Sequence, residues 1–391
     1  MPQLTSRLTG LTPGGSDGWE ILYASREMIE AGTPVIELTI GEHDIRTDPV
    51  ILGAMHDAAR GGHTGYAAVP GVRALKEEVA RRITDRTGTA TAPANVLITP
   101  GGQAALFAAH LAACPEGAKA LFIDPYYATY PGTIRSVGGI ASPVKALAEN
   151  AFQPDPAHID AAADGAACLL VNSPNNPTGV VYSAKTLDGI AGVCRDRDLW
   201  LISDEVYDTQ VWEGAHVSPR SLPDMAGRTL VVGSMSKSHA MTGSRIGWIV
   251  GPEEAISHLT NLATHTTYGV AGFIQDAALF ALEQGPIFEE KIAAPFERRR
   301  KIAMEIIGAQ NVVKAIPAQG AMYMMLDVRA TGLSGRSFAE ALLAEDHIAV
   351  MPGESFGEAA AGHIRVAMTI DDDRFADALE RLCTRAATLC D

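Results

Sequence analysis

Ala167-Cys168-Leu169-Leu170-Val171-Asn172-Ser173-Pro174-Asn175-Asn176-Pro177-Thr178-Gly179 is a short apolar run that breaks abruptly into polar and turn-forming residues. A run of that length with little alternation reads as a strand buried on both faces. The pattern recurs on either side. Val96–Thr99 precedes Pro100-Gly101-Gly102-Gln103, and Ala120–Asp124 precedes Pro125-Tyr126-Tyr127. Leu199–Asp204 leads into Glu205-Val206-Tyr207, Thr229–Ser234 into Met235-Ser236-Lys237, and Ile246–Val250 is a sixth run. Amphipathic helical stretches lie between them; Ala184–Arg197 carries Leu187, Ile190, Ala191 and Cys194 on one face. Strands alternating with helices imply an α/β fold whose mostly parallel sheet is sandwiched by helices.

The two ends of the chain follow another pattern. Val72–Arg86 reads as a helix with Val72, Leu75, Val79 and Ile83 inward, and Arg374–Cys390 as one with Phe375, Leu379, Leu382, Ala386 and Leu389 inward. After about residue 285 a long helix is followed by short strands at Met322–Val328, Ala349–Met351 and Ile364–Ala367. That order suits a smaller α+β domain. A large domain is expected over 46–285, and a small one from 1–45 together with 286–391.

Composition narrows the function. The chain has 391 residues, 47% hydrophobic and 20% charged, enough for a large core and for two domains. Lys and Arg number 31 against 46 Asp and Glu, a formal charge of −15 that repels nucleic acid and anionic lipid. The one basic cluster, Arg298-Arg299-Arg300-Lys301, reads as a solvated helix face. Five scattered cysteines without C-x-x-C, no apolar leader and no membrane-length apolar run point to the cytoplasm. No close histidine pairing suggests a metal centre.

Ligands of open α/β sheets bind outside the carboxyl ends of the strands. Five consecutive strands would bring Gly101-Gly102, Tyr127, Asn176, Asp204, Tyr207 and Lys237 to one rim. Alone, Lys237 is an ordinary surface lysine, Asp204 a helix cap and Tyr207 a core aromatic; in this order at one rim they form a site. Gly101-Gly102-Gln103, entering a helix over Gln103–Leu111, offers backbone N–H groups to a single phosphate, and no dinucleotide or triphosphate loop occurs. A lysine at a buried strand end suits a Schiff base with a carbonyl. Pyridoxal phosphate needs that lysine, a carboxylate on its ring nitrogen and an anion cradle. Arg365, between Ile364 and Val366 in a short apolar strand, would be costly unless paired.

These residues resemble the class I/II aminotransferases, pyridoxal-phosphate enzymes of the aspartate aminotransferase fold (fold type I). The resemblance rests on Asn175-Asn176-Pro177-Thr178-Gly179, Ser203-Asp204-Glu205-Val206-Tyr207 and Ser234-Met235-Ser236-Lys237-Ser238 with Gly243, Arg245 and Gly247. Tyr66-Ala67-Ala68-Val69-Pro70-Gly71 and His363-Ile364-Arg365-Val366 complete it, from about Leu38 to the final helix. It implies that Lys237 carries the cofactor as a Schiff base and shuttles the substrate α-proton, while Asp204 keeps the ring nitrogen protonated. Asn176 and Tyr207 would bond the phenolate oxygen, and Tyr127 would stack on the ring. Gly102, Gln103, Ser234 and Arg245 would hold the phosphate, beside Gly101 and Ser236, with Tyr66 reaching it from the second subunit of a homodimer. Arg365 would grip the substrate α-carboxylate as a bidentate fork, helped by Asn176 and the backbone at Gly41.

Departures bear on the substrate. Gln103 stands where a lysine often follows the paired glycines, Ser244 where tryptophan is common, and His43 within a usual Gly-Glu-Pro-Asp loop. Asp17-Gly18-Trp19-Glu20 comes from the part that lines the substrate side chain in relatives, and its two acids favour a basic or neutral donor. Ser236–Gly243 and Phe273–Ala278 are similar to arginine–pyruvate transaminases. The expected reaction is amino transfer from an L-amino acid to pyruvate or 2-oxoglutarate, the alternative being C–S β-elimination on the same cofactor. Gly353-Glu354-Ser355-Phe356-Gly357 fits a nucleophile elbow, but no acid and histidine follow at workable spacing, so it reads as a turn before the Arg365 strand. About forty residues precede Gly41, so no attached DNA-binding domain is expected.

Overall fold

The apolar runs from the middle of the chain form one sheet, and short strands from its two ends form another. The computed structural model describes residues 2–13 and 15–390. Twelve strands occur among them: β1 (Ile36–Leu38), β2 (Val96–Thr99), β3 (Lys119–Asp124), β4 (Ile140–Lys145), β5 (Ala166–Asn172), β6 (Trp200–Asp204), β7 (Thr229–Ser234), β8 (Gly247–Val250), β9 (Lys314–Ala315), β10 (Tyr323–Asp327), β11 (Ile348–Pro352) and β12 (His363–Ala367).

Seven strands make the central sheet in the order β2-β8-β7-β6-β5-β3-β4. β8 runs antiparallel to both of its neighbours, and the other ladders are parallel. No crossover helix joins β7 to β8, so the chain returns in the opposite sense. The strands that carry the rim residues are therefore not consecutive, as the sequence pattern suggested. β4 intervenes in the chain, and β8 separates β2 from β7 in space. β4 escaped the reading of apolar runs because it is an edge strand: Pro143 lies within it, and Val144 is its one buried residue.

Five strands make the second sheet, β1-β11-β12-β10-β9, with β1 parallel to β11. Residues from opposite ends of the chain thus share one core, where Leu38 packs with Met324, Val350, Val366 and Phe375. The helix Ala184–Asp196 begins at Ser183, whose Oγ accepts from the Thr186 N–H at 3.0 Å, and buries the four residues expected of it. No helix among the described residues is long and apolar enough to cross a membrane.

The basic cluster is not a solvated face. Arg298 and Lys301 are exposed on the helix Ile287–Gly308, whereas Arg299 and Arg300 are buried. Arg299 donates to Asp44 at 2.6 and 3.0 Å, to Asp372 at 2.9 Å and to the Met368 carbonyl at 3.0 Å. Arg300 reaches the Ala318 carbonyl and Glu213. The helical period alone could not reveal these partners, which come from distant segments of the chain.

Candidate active site

A cavity of about 510 Å³ opens at the carboxyl ends of β5, β6 and β7 and is closed from the other side by β10 and β12. Asp204 ends β6 and is 3% exposed. Its Oδ2 accepts the Tyr130 hydroxyl at 2.7 Å. Burial lifts this carboxyl to about 6, against the pull of that hydroxyl and of the Val206 N–H. Asn172, ending β5, donates to the Asp204 carbonyl at 2.9 Å and accepts from the Asn176 N–H at 2.8 Å. The loop that follows is braced by Asn175, whose Oδ1 accepts from both the Thr178 N–H and hydroxyl.

Ser234 ends β7 and caps the short helix Met235–Ser238 through the Ser236 N–H at 3.1 Å. That helix carries Lys237, whose Nζ donates to the Gly41 carbonyl inside the cavity. The Lys237 carbonyl accepts from Gln210 Nε2 at 3.1 Å and His43 Nε2 at 2.9 Å.

An anion cradle lies beside the lysine. The helix Gly102–Ala113 begins without a side-chain cap, which leaves its first N–H groups open toward the cavity. Gly101 has φ 83°, and a Cβ there would stand 2.5 Å from Nη2 of Arg245. Only glycine lets the guanidinium lie over the helix start. Arg245 donates to the Thr242 carbonyl at 2.7 Å, and the Ser234 and Ser236 hydroxyls, 2.9 Å apart, complete the group. Gln103 also lines the cavity, but its amide is held by Thr133 at 2.8 Å and Thr129 at 3.2 Å.

Arg365 occupies the opposite wall. It is 1% exposed, and Nη1 donates to Asn176 Oδ1 at 2.8 Å while Nη2 meets the Thr39 carbonyl. The guanidinium lies between the rings of Tyr323 and Phe356, 4.4 and 4.3 Å from their centroids. Its Nε has no hydrogen-bond partner, and no ion pair joins Arg365 to an acid among the described residues. Burial lowers its pKa. A buried guanidinium without an acid is costly unless an anion arrives. Tyr323 also meets the Tyr207 hydroxyl at 3.2 Å and stands so close to Gly41 that a Cβ there would collide with its oxygen.

The structure therefore gathers Gly102, Gln103, Tyr127, Asn176, Asp204, Tyr207, Ser234, Ser236, Lys237, Arg245, Gly41 and Arg365 around one cavity, with Gly101 at its edge. Tyr66 lies elsewhere on its own chain, 91% exposed and edge-on to Tyr268 at 5.0 Å. Tyr130, Asn172, Tyr323, Phe356 and Gln210 were missed. Asn172, as the terminal polar residue of an apolar strand, was visible in principle. Tyr130 and Tyr323 meet their partners 74 and 116 positions away, which no local pattern signals.

An amine, a buried carboxylate held near neutrality and an open anion cradle within one cavity fit pyridoxal phosphate; the unpartnered guanidinium beside them fits a carboxylate substrate. Such a chain is a pyridoxal-phosphate enzyme that handles amino acids. Residues 33–382 match the family model of class I and II aminotransferases, and the chain belongs to that family. It is 38% identical to the arginine–pyruvate transaminase of Pseudomonas aeruginosa over 387 residues, covering 98% of each chain. It is 34% identical to the aspartate/prephenate aminotransferase of Thermus thermophilus, covering 91% of this chain and 92% of that one. The structure of a Thermus thermophilus aspartate aminotransferase with maleate superimposes with a TM-score of 0.92 at 32% identity, over 99% of this chain and 100% of that one. The protein is a pyridoxal-phosphate-dependent aminotransferase, and the elimination reading is not favoured.

Proposed function

We propose that Lys237 holds the cofactor and moves the proton at the substrate α-carbon, and that Arg365 with Asn176 and the backbone at Gly41 binds the α-carboxylate. The observation that carries this reading is Arg365, fully buried without an acid, in the same cavity as the Lys237 amine. When bound, pyridoxal phosphate supplies an electron sink for the carbanion formed at that carbon. Ionised Asp204 would keep the bound ring protonated, and Asn176, Tyr207 and Tyr127 are the residues that would hold the ring. Gly102, Ser234, Ser236 and Arg245 would hold the phosphate, with Gly101 giving the Arg245 guanidinium room. Gln103 adds its backbone N–H, since its side chain is occupied by Thr129 and Thr133.

Tyr66 reaches the phosphate of a second subunit in a homodimer; its 91% exposure on its own chain supports this assignment. The halves 46–285 and 1–45 with 286–391 move as bodies, the smaller closing over substrate. The enzyme works in the cytoplasm, in amino-acid metabolism.

A long basic donor with pyruvate as acceptor follows the Pseudomonas aeruginosa relative. A second cavity of about 1020 Å³ adjoins the first and shares Trp19, Tyr23 and Gln103 with it. Ser355 and Glu354 line it, and Ser355 Oγ and Glu354 Oε2 are buried without hydrogen-bond partners among the described residues. The acids singled out in the sequence contribute less, because Asp17 is bonded to the Tyr23 hydroxyl and Glu20 to Ser16, with Arg336 3.7 Å away.

The test is the visible spectrum of the purified protein with pyridoxal phosphate. A band that vanishes in Lys237→Ala, bleaches with arginine or lysine and returns with pyruvate is the expected result. Bleaching by aspartate alone removes the donor assignment, and a band present in the alanine variant removes Lys237.

A further inference from the structure

His43 has no assigned part in the chemistry, yet it touches the lysine that does. It follows β1 in the loop Thr39-Ile40-Gly41-Glu42-His43 and is 7% exposed. Its Nε2 lies 2.9 Å from the main-chain carbonyl of Lys237. Because a carbonyl only accepts, Nε2 must carry the hydrogen, which leaves Nδ1 as a bare, buried acceptor without a partner among the described residues. The ring stands edge-on to Phe296, 5.5 Å between centroids. A second N–H on that ring would be buried without an acceptor and close to the Lys237 ammonium. Burial and that ammonium together hold His43 down to about 4.

The contact matters because of where it falls. Lys237 sits in the four-residue helix Met235–Ser238, and the last carbonyls of a helix have no partners within it. The Lys237 carbonyl is satisfied from outside by Gln210 Nε2 at 3.1 Å and by His43. The same loop accepts from the Lys237 amine at Gly41 and from the Arg365 guanidinium at Thr39. It is tied down beyond the histidine by Asp44 to Arg299 at 2.6 Å and by Thr47 to the Ala240 carbonyl at 2.6 Å.

We infer that His43 is a positioning residue for Lys237. It pins the lysine backbone to the loop that also meets the proposed carboxylate-binding arginine, and so sets where the amine stands relative to that arginine. The inference rests on the assignment of Lys237 and Arg365 made above.

Two variants test it in the cofactor-loaded enzyme. His43→Leu removes the donor and keeps an apolar side chain against Phe296, while Gln210 still satisfies the carbonyl. His43→Gln offers an amide N–H at similar reach. The first readout is the pH midpoint of the Lys237-dependent visible band without substrate; the second is the single-turnover rate with a donor amino acid. His43→Leu is expected to shift the midpoint by about half a unit or more and to slow the turnover about tenfold, the scale of one hydrogen bond. Donor affinity should change by less than about twofold, and His43→Gln should recover most of both losses. Unchanged midpoint and rate in His43→Leu overturn the inference. Equal losses in both variants that track a lower melting temperature overturn it as well, since packing alone would explain them. If the wild-type protein forms no Lys237-dependent band, the reading of the cavity fails and this inference falls with it.

Discussion

Two arginines, Arg365 and Arg299, are buried at 1% and 3% exposure and each lies against an aromatic ring, yet one is surrounded by neutral groups and the other by acids. Arg299 faces two aspartates and a carbonyl, so its charge is neutralised within the chain. Arg365 faces an amide oxygen, a carbonyl and two aromatic rings, none of them an acid. Removing a cation from water costs several kcal/mol unless a counter-charge compensates. Arg299 is compensated permanently and fastens the Asp44 loop to Met368 and Asp372. Arg365 has no such counter-charge among the described residues. Burial of a charged residue therefore says little until its acids are counted.

The largest expected effect separates the two arginines. Arg365→Ala should lower kcat/KM for amino donors by about a thousandfold, the scale of losing a buried charge-assisted pair. It should barely lower the melting temperature, because an uncompensated desolvation goes with it. A large fall in melting temperature with unchanged kcat/KM would make Arg365 a second structural tie and erase the contrast.

Arg299→Ala should do the reverse. It leaves Asp44 and Asp372 without their buried partner and should cost about 3 kcal/mol, read from the urea midpoint. The half-reaction rate of the folded fraction should fall far less than in Arg365→Ala, because Thr47 still ties the loop to the Ala240 carbonyl. A rate loss as large as that of Arg365→Ala would place Arg299 in the chemistry.

A smaller effect sharpens the electrostatics of the same cavity. The Tyr130 hydroxyl holds the Asp204 carboxyl below the value that burial alone would set. Tyr130→Phe should raise that pKa, so activity that needs ionised Asp204 would be lost at a higher pH. The acid limb of the pH–rate profile should move upward by up to about one unit. Movement in the other direction, or none, would detach Tyr130 from Asp204.

Asp204 closes an apolar run, and Lys237, Asn176, Tyr207 and the Gly101-Gly102 pair lie within four residues of the end of one, so adjacency in sequence placed them near strand ends. Arg365 was legible as an arginine in a buried strand. That it lacks an acid was not legible, and neither were the acids of Arg299, whose cluster read as a solvated face. Asn176 is 189 residues from Arg365 and Thr39 is 326, while Asp44 is 255 from Arg299. Nothing periodic links positions so far apart.

By itself the sequence determined the α/β class, the strand-end residues and the kind of cofactor they suit, because those depend on residue type and neighbours along the chain. The tertiary structure alone decided which charges are compensated: it pairs Arg299 with its aspartates, leaves Arg365 without an acid among the described residues and brings His43 onto Lys237. The reason is physical. Local backbone preference acts over a few residues, whereas the energy of a buried charge depends on every group folded around it.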